Sequence, residues 1–402
     1  MAILKFEDIK FSKSEGGVKG IFLQQFYFDI EKSELDRLGK WKLKADALEI
    51  EGPDNIKKQF NFLLEQKLKQ LKSVQGKEAI YVYEGLLPLI GSLYFGIIDR
   101  NTNIIEIRPQ TGCNLNCIFC SIDLCRRQKD FVVSADYLAK EAEKLAILKL
   151  QKCKNVEMHI NAMGEPLLYS PLAELVKKLK KIKGVKTISM DTNGSLFTEK
   201  KIDELVKAGI TRFNVSMNAF SSSTSEKIAG IVYPIEHVKK MCKYIARKCD
   251  ILLAPVWLHE INDKDIEQII KFSKELEKIR PQQKVPFIGV QNFLEYDHGK
   301  NPVKEQNWET FFELLEKLGK KHKMILKLSR EDFGIEQCNV LEKPFNKGDV
   351  VEAEIVCDGM LRNEKLATAE GRIIAIHNCS KKGIVMAKIT RDKYNVFYAA
   401  VV

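Results

Sequence analysis

Three cysteines stand within eight positions, in Cys113-Asn-Leu-Asn-Cys117-Ile-Phe-Cys120. The spacing is C-x3-C-x2-C, and none of the ten cysteines precedes Cys113. Three thiolates on one short loop can each hold one iron of a [4Fe–4S] cube. A cube with three protein ligands leaves its fourth iron open, and an open position is what a catalytic metal centre needs and a structural one avoids. Zinc is the competing metal. A structural zinc site asks for a fourth ligand, however, and no histidine lies on this loop. A second element, Met163-Gly164-Glu165-Pro166, supplies an acidic group suited to receive a cation.

These residues need a scaffold. From residue 104 onward, short apolar runs alternate with amphipathic stretches. They predict strands at Ile104–Arg108, Val156–Asn161, Lys186–Asp191, Arg212–Ser216, Ile251–Val256 and Pro286–Gln291. Helix signals lie between them. Ser134 can cap a helix toward Leu150, Ser170-Pro171 supplies an N-cap and an N1 proline before Leu172–Ile182, and Thr198 caps a helix that Gly209 ends. Asp263 opens a helix to Ile279, and Glu305 to His322 reads as another. Strands followed by helices imply a parallel α/β sheet that curves or closes, with its site at the strand C-termini. The cysteine triad follows the first strand and the Gly-Glu-Pro element follows the second, as that rule requires.

The rest of the chain differs. Residues 1–103 are mixed, with turns at Gly16-Gly17 and Gly52-Pro53 and a helical pattern from Ile56 to Leu71. After a linker at Ser329–Lys343, residues 344–402 show strand-like alternation at Val351, Ala353 and Ile355, then runs at Arg372–His377, Gly383–Ile389 and Val396–Val401. Short strands over so few residues suggest a small β-barrel. The whole reads as α/β: a partial (β/α)6 barrel (104–300) with an N-terminal α+β extension (1–103), a helix and linker (301–343) and a small C-terminal β-barrel (344–402).

Of 402 residues, 45% are hydrophobic and 30% charged, which excludes a disordered or fibrous chain. The net charge is +11, and +8 of it falls in residues 104–300, compatible with a polyanionic partner such as RNA or with solvated lysine-rich helix faces. The first residues lack a signal-peptide core and no apolar stretch suits a membrane span, so a cytoplasmic setting with reduced thiols is expected.

The triad and the strand pattern together resemble the radical S-adenosylmethionine (SAM) superfamily. Met163-Gly164-Glu165-Pro166 looks like that family's Gly-Gly-Glu-Pro motif, with Met163 replacing the first glycine. The resemblance implies a [4Fe–4S] cluster on Cys113, Cys117 and Cys120. It also implies SAM contacts from Phe119, Gly164, Glu165, Pro166, Asn193, Ser216 and Asn218. The implied chemistry is one-electron cleavage of SAM to methionine and a 5′-deoxyadenosyl radical, with an electron donor such as ferredoxin or flavodoxin. The last segment, from Phe345-Asn-Lys-Gly-Asp-Val, resembles a TRAM module, a small barrel found on RNA-modifying enzymes. It offers Arg362, Lys365, Arg372, Lys381, Lys382, Arg391 and Lys393, with Tyr394 and Tyr398, as RNA contacts. The combination resembles the methylthiotransferases but lacks their N-terminal cluster cysteines, and is nearer to an archaeal radical SAM–TRAM group to which the resemblance assigns no reaction.

The expected function is therefore modification of tRNA or rRNA. Action on a protein side chain or on a lipid or cofactor precursor is the alternative, and a non-enzymatic iron–sulfur RNA-binding protein is a third. Cys338 on the linker and Cys125 near the triad are candidate catalytic thiols, and Cys338, Cys357 and Cys379 could hold a second cluster. Cys242 and Cys249 share a helical face as packed thiols, and His159 and His298 read as hydrogen-bonded structural histidines.

Overall fold

A computed structural model describes residues 2–6, 8–45, 47–73 and 76–402. Its central sheet runs in the order Asp250–Leu253, Arg212–Val215, Val185–Thr192, Val156–Ile160, Ile104–Arg108, Gly96–Asp99. The first five strands are parallel, and Gly96–Asp99 closes the edge as an antiparallel hairpin partner of Ile104–Arg108. The expected sixth strand survives only in pieces: a parallel bridge of Leu253 to Ile288, then a short pair of Val256–Trp257 with Gln291–Asn292.

Most helices begin and end where local chemistry dictates. Ser134 Oγ accepts from Tyr137 N at 3.4 Å ahead of Ala135–Leu150. Thr198 Oγ1 accepts from Lys201 N at 3.1 Å ahead of Glu199–Ala208, which Gly209 ends. Helices Asp263–Ile279 and Trp308–His322 follow, the second capped by Asn307. One cap differs from expectation: Pro171 itself occupies the N-cap of Leu172–Lys181, without a side-chain cap bond. The helix from Ile56 stops at Leu68, and Leu71–Ser73 is a strand.

The N-terminal extension is not separable from the core. Its six-stranded sheet includes Lys129–Val133, which lies beyond the cysteine triad and pairs in parallel with Glu78–Val82. The C-terminal segment forms a closed five-stranded barrel from Val350–Asp358, Lys365–Ala369, Arg372–Ile376, Gly383–Arg391 and Phe397–Val401. Backbone hydrogen bonds are among the contacts that dock it on the rest. Ile373 N donates to Ile90 O at 2.8 Å, Phe397 N to Gly91 O at 3.0 Å and Gln128 N to Met360 O at 2.8 Å. The linker is stitched across the sheet's opposite end. Asn103 Nδ2 donates to Gly334 O at 3.0 Å, and buried Lys149 spans Asp99 at 2.6 Å and Asn339 O at 3.3 Å. Cys338 is bonded to Cys153 across 185 residues, so these two thiols depart from the expectation of reduced cysteines. Among the described residues, no helix is long and apolar enough to cross a membrane.

Along the parallel strands, apolar residues alternate with buried polar ones, as a period of two requires. The polar side forms a charged lattice. Glu106 accepts from Arg100 Nε at 2.6 Å and Arg108 Nε at 2.8 Å, while Glu157 accepts from Arg212 at 2.6 Å. His159 sits between Ser189 Oγ at 2.8 Å and the Asp191 carboxylate at 3.4 Å. Burial pulls the imidazole pKa down, but Asp191 and the neighbouring Glu157 outweigh it and hold the pKa up to about 9.

Two outcomes follow. The His159 contribution should be complete below its unfolded pKa of about 6.5 and vanish as pH rises through about 9. Near pH 7 it is worth about 2–3 kcal/mol. Denaturant unfolding of the wild type and His159→Gln should therefore show a stability gap that closes between neutral pH and pH 10; a constant gap contradicts the pairing. In addition, alkylation of the unfolded, metal-stripped chain without reductant should modify eight cysteines, and modification of all ten would remove the Cys153–Cys338 bond.

Candidate active site

The loop after Ile104–Arg108 carries the triad, and every neighbouring element holds it. Thr111 N donates to Phe131 O at 3.0 Å at its start. Asn116 N and Ile118 N donate to Ala229 O at 2.9 Å and Ile228 O at 3.0 Å, the last carbonyls of helix Ser222–Ala229. That helix ends on Gly230 at φ +70°, where a Cβ would lie 2.3 Å from Asn116 O, so glycine permits both the left-handed turn and the approach. Lys300 Nζ donates to Asn116 Oδ1 at 2.6 Å from the far side.

The Gly-Glu-Pro element crosses this loop. Glu165 N donates to Gly112 O at 2.9 Å, and a Cβ on Gly164 would lie 2.0 Å from the same oxygen. Only glycine fits there. Glu165 is buried, with Oε1 accepting from Leu167 N at 3.0 Å and Thr192 Oγ1 at 2.7 Å, and Oε2 from Asn193 N at 2.8 Å. A carboxylate offers about four acceptor positions, so one remains for a ligand cation. Burial pushes this carboxyl up to about 7 against those three donors, and an added cation would draw it back down.

A cavity of about 400 Å³ opens between the loops. Cys113, Cys117 and Cys120 line it, as do Phe119, Gly164, Glu165, Asn193, Ser216 and Asn218. Pro166 does not; it is buried at the start of the turn Pro166–Leu168 and shapes the element from behind. Asn193 Nδ2 donates to Asn114 Oδ1 at 3.0 Å and so ties the third strand's end to the triad loop. The Asn218 side chain is spent on the fold, donating to Ser216 O at 3.2 Å and accepting from Val256 N at 2.8 Å.

The donor set fits the expected groups. Burial raises the Cys113 thiol to about 11 and lifts Cys117 further, so metal binding must displace their protons. Among the described residues no three His, Cys, Asp or Glu side chains are gathered as a single-ion site, whereas a cube takes one thiolate per iron. Two buried polar atoms on the cavity wall, Ser225 Oγ and Arg127 Nε, have no hydrogen-bond partner among the described residues. Unpaired buried groups are costly, and a polar ligand would satisfy them.

Other candidates lie elsewhere. Cys125 is exposed on the turn Leu124–Arg126 and is absent from the lining. Cys338 is bonded to Cys153 and is likewise outside it, which removes it both as a free thiol at this cavity and as a ligand with Cys357 and Cys379. Burial pushes the Cys249 thiol up to about 12 and Cys242 higher still, as packed thiols should be, but the two do not share a helical face, because helix Ile235–Ala246 ends before Cys249. On the C-terminal barrel, Arg362, Lys381, Lys382 and Lys393 are exposed. Lys365 is engaged by Asp358, and Arg372 reaches Glu342 O at 3.2 Å. Arg391 lies 5.3 Å over the Tyr398 ring and Lys393 5.2 Å over Tyr394. The structure adds wall residues that spacing did not single out: Arg108, Arg127, Asn161, Asp191, Asn292 and Tyr296. All but Tyr296, which lies on the loop after Gln291–Asn292, share a position at strand ends or just beyond the triad.

A family profile described as the radical SAM superfamily matches residues 107–273. The uncharacterized protein MJ0103 of Methanocaldococcus jannaschii is 37% identical over 361 residues, 83% of this chain and 83% of that one. A probable GTP 3′,8-cyclase of Saccharolobus islandicus is 30% identical over 161 residues, 40% of this chain and 48% of its own length. This chain thus spans only about half of that relative. Among solved structures, Streptococcus suis SuiB bound to precursor peptide SuiA overlaps 81% of this chain and 72% of its own at 17% identity and a TM-score of 0.42, a loose likeness on which nothing rests.

Glu165→Ala should lower SAM affinity at least tenfold in calorimetry on reconstituted protein. It should also cost about 2–3 kcal/mol of stability through the donors left unpaired. Unchanged affinity in a folded variant would take Glu165 out of the site.

Proposed function

The chain belongs to the radical SAM superfamily, and we propose that it acts on RNA, tRNA or rRNA above all. Its cofactors are one [4Fe–4S] cluster and S-adenosylmethionine. Together, when bound, they supply a one-electron cleavage of SAM and a radical able to abstract hydrogen from a substrate.

The residues divide the work. Cys113, Cys117 and Cys120 would each hold one iron. The Gly164 and Glu165 backbone, with the Glu165 carboxylate, would receive the amino end of SAM, and Phe119, Asn193 and Ser216 would border the rest. The apolar cluster of Ala219, Ile228, Leu258 and Phe293, against which Phe119 packs, would give the cavity a non-polar side next to Phe119. An external one-electron donor, such as a ferredoxin or flavodoxin, would supply the reducing equivalent.

One observation carries the RNA reading: the closed C-terminal barrel grips the segment that leaves the cluster loop. Arg127 bridges Leu361, and Gln128 N donates to Met360 O at 2.8 Å. A TRAM-like barrel fixed there would hold a bound strand beside the cavity, with Arg362, Lys381 and Lys382 exposed for phosphates. A second reading, a free nucleotide as substrate, is favoured by the likeness of the core to a probable GTP 3′,8-cyclase.

The test is anaerobic. Reconstituted protein with dithionite and SAM should form 5′-deoxyadenosine, and Cys117→Ala should abolish it. Bulk tRNA or rRNA should raise the yield severalfold, less so in the triple variant Arg362→Ala, Lys381→Ala, Lys382→Ala. Stimulation by GTP and not by RNA would favour the second reading. No response to RNA would overturn the first.

A further inference from the structure

We propose that Arg127 is a positioning residue that sets the reduction potential of the cluster on Cys113, Cys117 and Cys120. The inference rests on the cofactor assignment above and concerns a residue that neither spacing nor motif singled out.

The side chain is unusual for an arginine. It is 3% exposed, while its neighbour Arg126 faces solvent. One terminal nitrogen donates to Thr111 O and Met163 O, both at 2.7 Å. The other lies 3.5 Å from Cys120 Sγ and from Ile122 O. Nε is buried without a partner. Among the described residues Arg127 forms no ion pair; nearby Asp130 spends its Oδ1 on the Thr111 hydroxyl at 3.0 Å. A buried guanidinium that bonds only to carbonyls and a thiol has no anion in direct contact, although the Asp130 carboxylate lies near enough to interact with its charge, and buried charges persist when paired.

A thiolate-ligated [4Fe–4S] cube on the triad would add a counter-charge in direct contact, through Cys120. It is anionic, and reduction adds one more negative charge. A fixed cation donating to one ligand sulfur favours the reduced form and raises the potential. The same fork fixes geometry, because its two short bonds join the triad loop at Thr111 to the Gly-Glu-Pro loop at Met163. The C-terminal barrel holds the residue in place through the bridge of Arg127 to Leu361.

The test uses the full-length chain as wild type, Arg127→Lys and Arg127→Met, reconstituted anaerobically without substrate. Iron and sulfide content, thermal melting and an EPR-monitored potentiometric titration are recorded. Removing the charge in Arg127→Met should weaken reduction about tenfold or more, which is ~59 mV per tenfold for one electron, toward negative potential. Arg127→Lys keeps the charge without the fork and should fall between the two. A cluster that stays at the wild-type potential in both variants would reduce Arg127 to a structural staple and overturn the proposal. If Arg127→Met takes up no iron, the lysine variant decides alone; if it melts as wild type yet also takes up none, the role is anchoring only and the proposal again fails. A wild type that assembles no cluster would overturn the cofactor assignment as well, so the two failures are distinct.

Discussion

At the C-terminal ends of the parallel strands, two backbones cross with no room for a side chain between them. Gly164 lies against Gly112 and Thr111, and Glu165 N closes the contact on Gly112 O at 2.9 Å. The crossing brings the cysteine loop and the acidic loop together on the lining of one cavity. It also creates a debt of buried polar groups, since carbonyls at a loop crossing have no ladder to join. Gln110 meets Glu165 O at 2.5 Å, Arg127 meets Thr111 and Met163, and Thr192 with Asn193 meets the Glu165 carboxylate. The polar character of the site follows from that demand as much as from any ligand.

The same crossing explains why the three parts of the chain cannot be treated as beads. Residues leaving the triad form Lys129–Val133, which belongs to the N-terminal sheet. The residues before that strand, Arg127 and Gln128, pair with the C-terminal barrel. The N-terminal extension in turn reaches the barrel, through Ile90, Gly91 and the Tyr94 hydroxyl on Glu364 at 2.8 Å. Each part therefore contacts the other two, and the segment leaving the cysteine loop touches both of the others. A loop with both ends tied loses little further conformational freedom when a cofactor binds, which favours binding.

What was legible in the sequence was what is local. The cysteine spacing, the Gly-Glu-Pro element and the caps at Ser134, Thr198 and the helix from Asp263 are set by residues a few positions apart. The alternation that predicted six strands, five of which pair in parallel in the central sheet, is local too. What was missed depends on distant partners. Gly96–Asp99 and Lys129–Val133 are short runs whose identity comes from the strands they meet. The Cys153–Cys338 bond joins residues 185 apart, and nothing near either cysteine announces the other. Arg126 and Arg127 are the same residue type side by side, yet one is in solvent and one is buried against Cys120. Ser170 shows the converse failure: a favourable cap sequence was overruled by the proline beside it.

The attachment of the C-terminal barrel has its own internal logic. The turn from Asp358 to Glu364 is folded around the Glu364 side chain, which fills the space a Cβ on Gly359 would need. Burial raises that carboxyl, and Tyr94 at 2.8 Å and Leu361 N at 3.2 Å donate to it, with His377 Nδ1 3.4 Å away. Met360 and Leu361, the residues that reach Arg127 and Gln128, lie within this turn and belong to the main hydrophobic core rather than to the barrel's own. A buried acid with several partners makes a rigid joint, because loosening it would strand a polar group. The barrel is thus held at a fixed distance from the cavity instead of hanging on a tether. A substrate bound by it would gain orientation from the fold itself, without the entropy loss of closing a mobile domain.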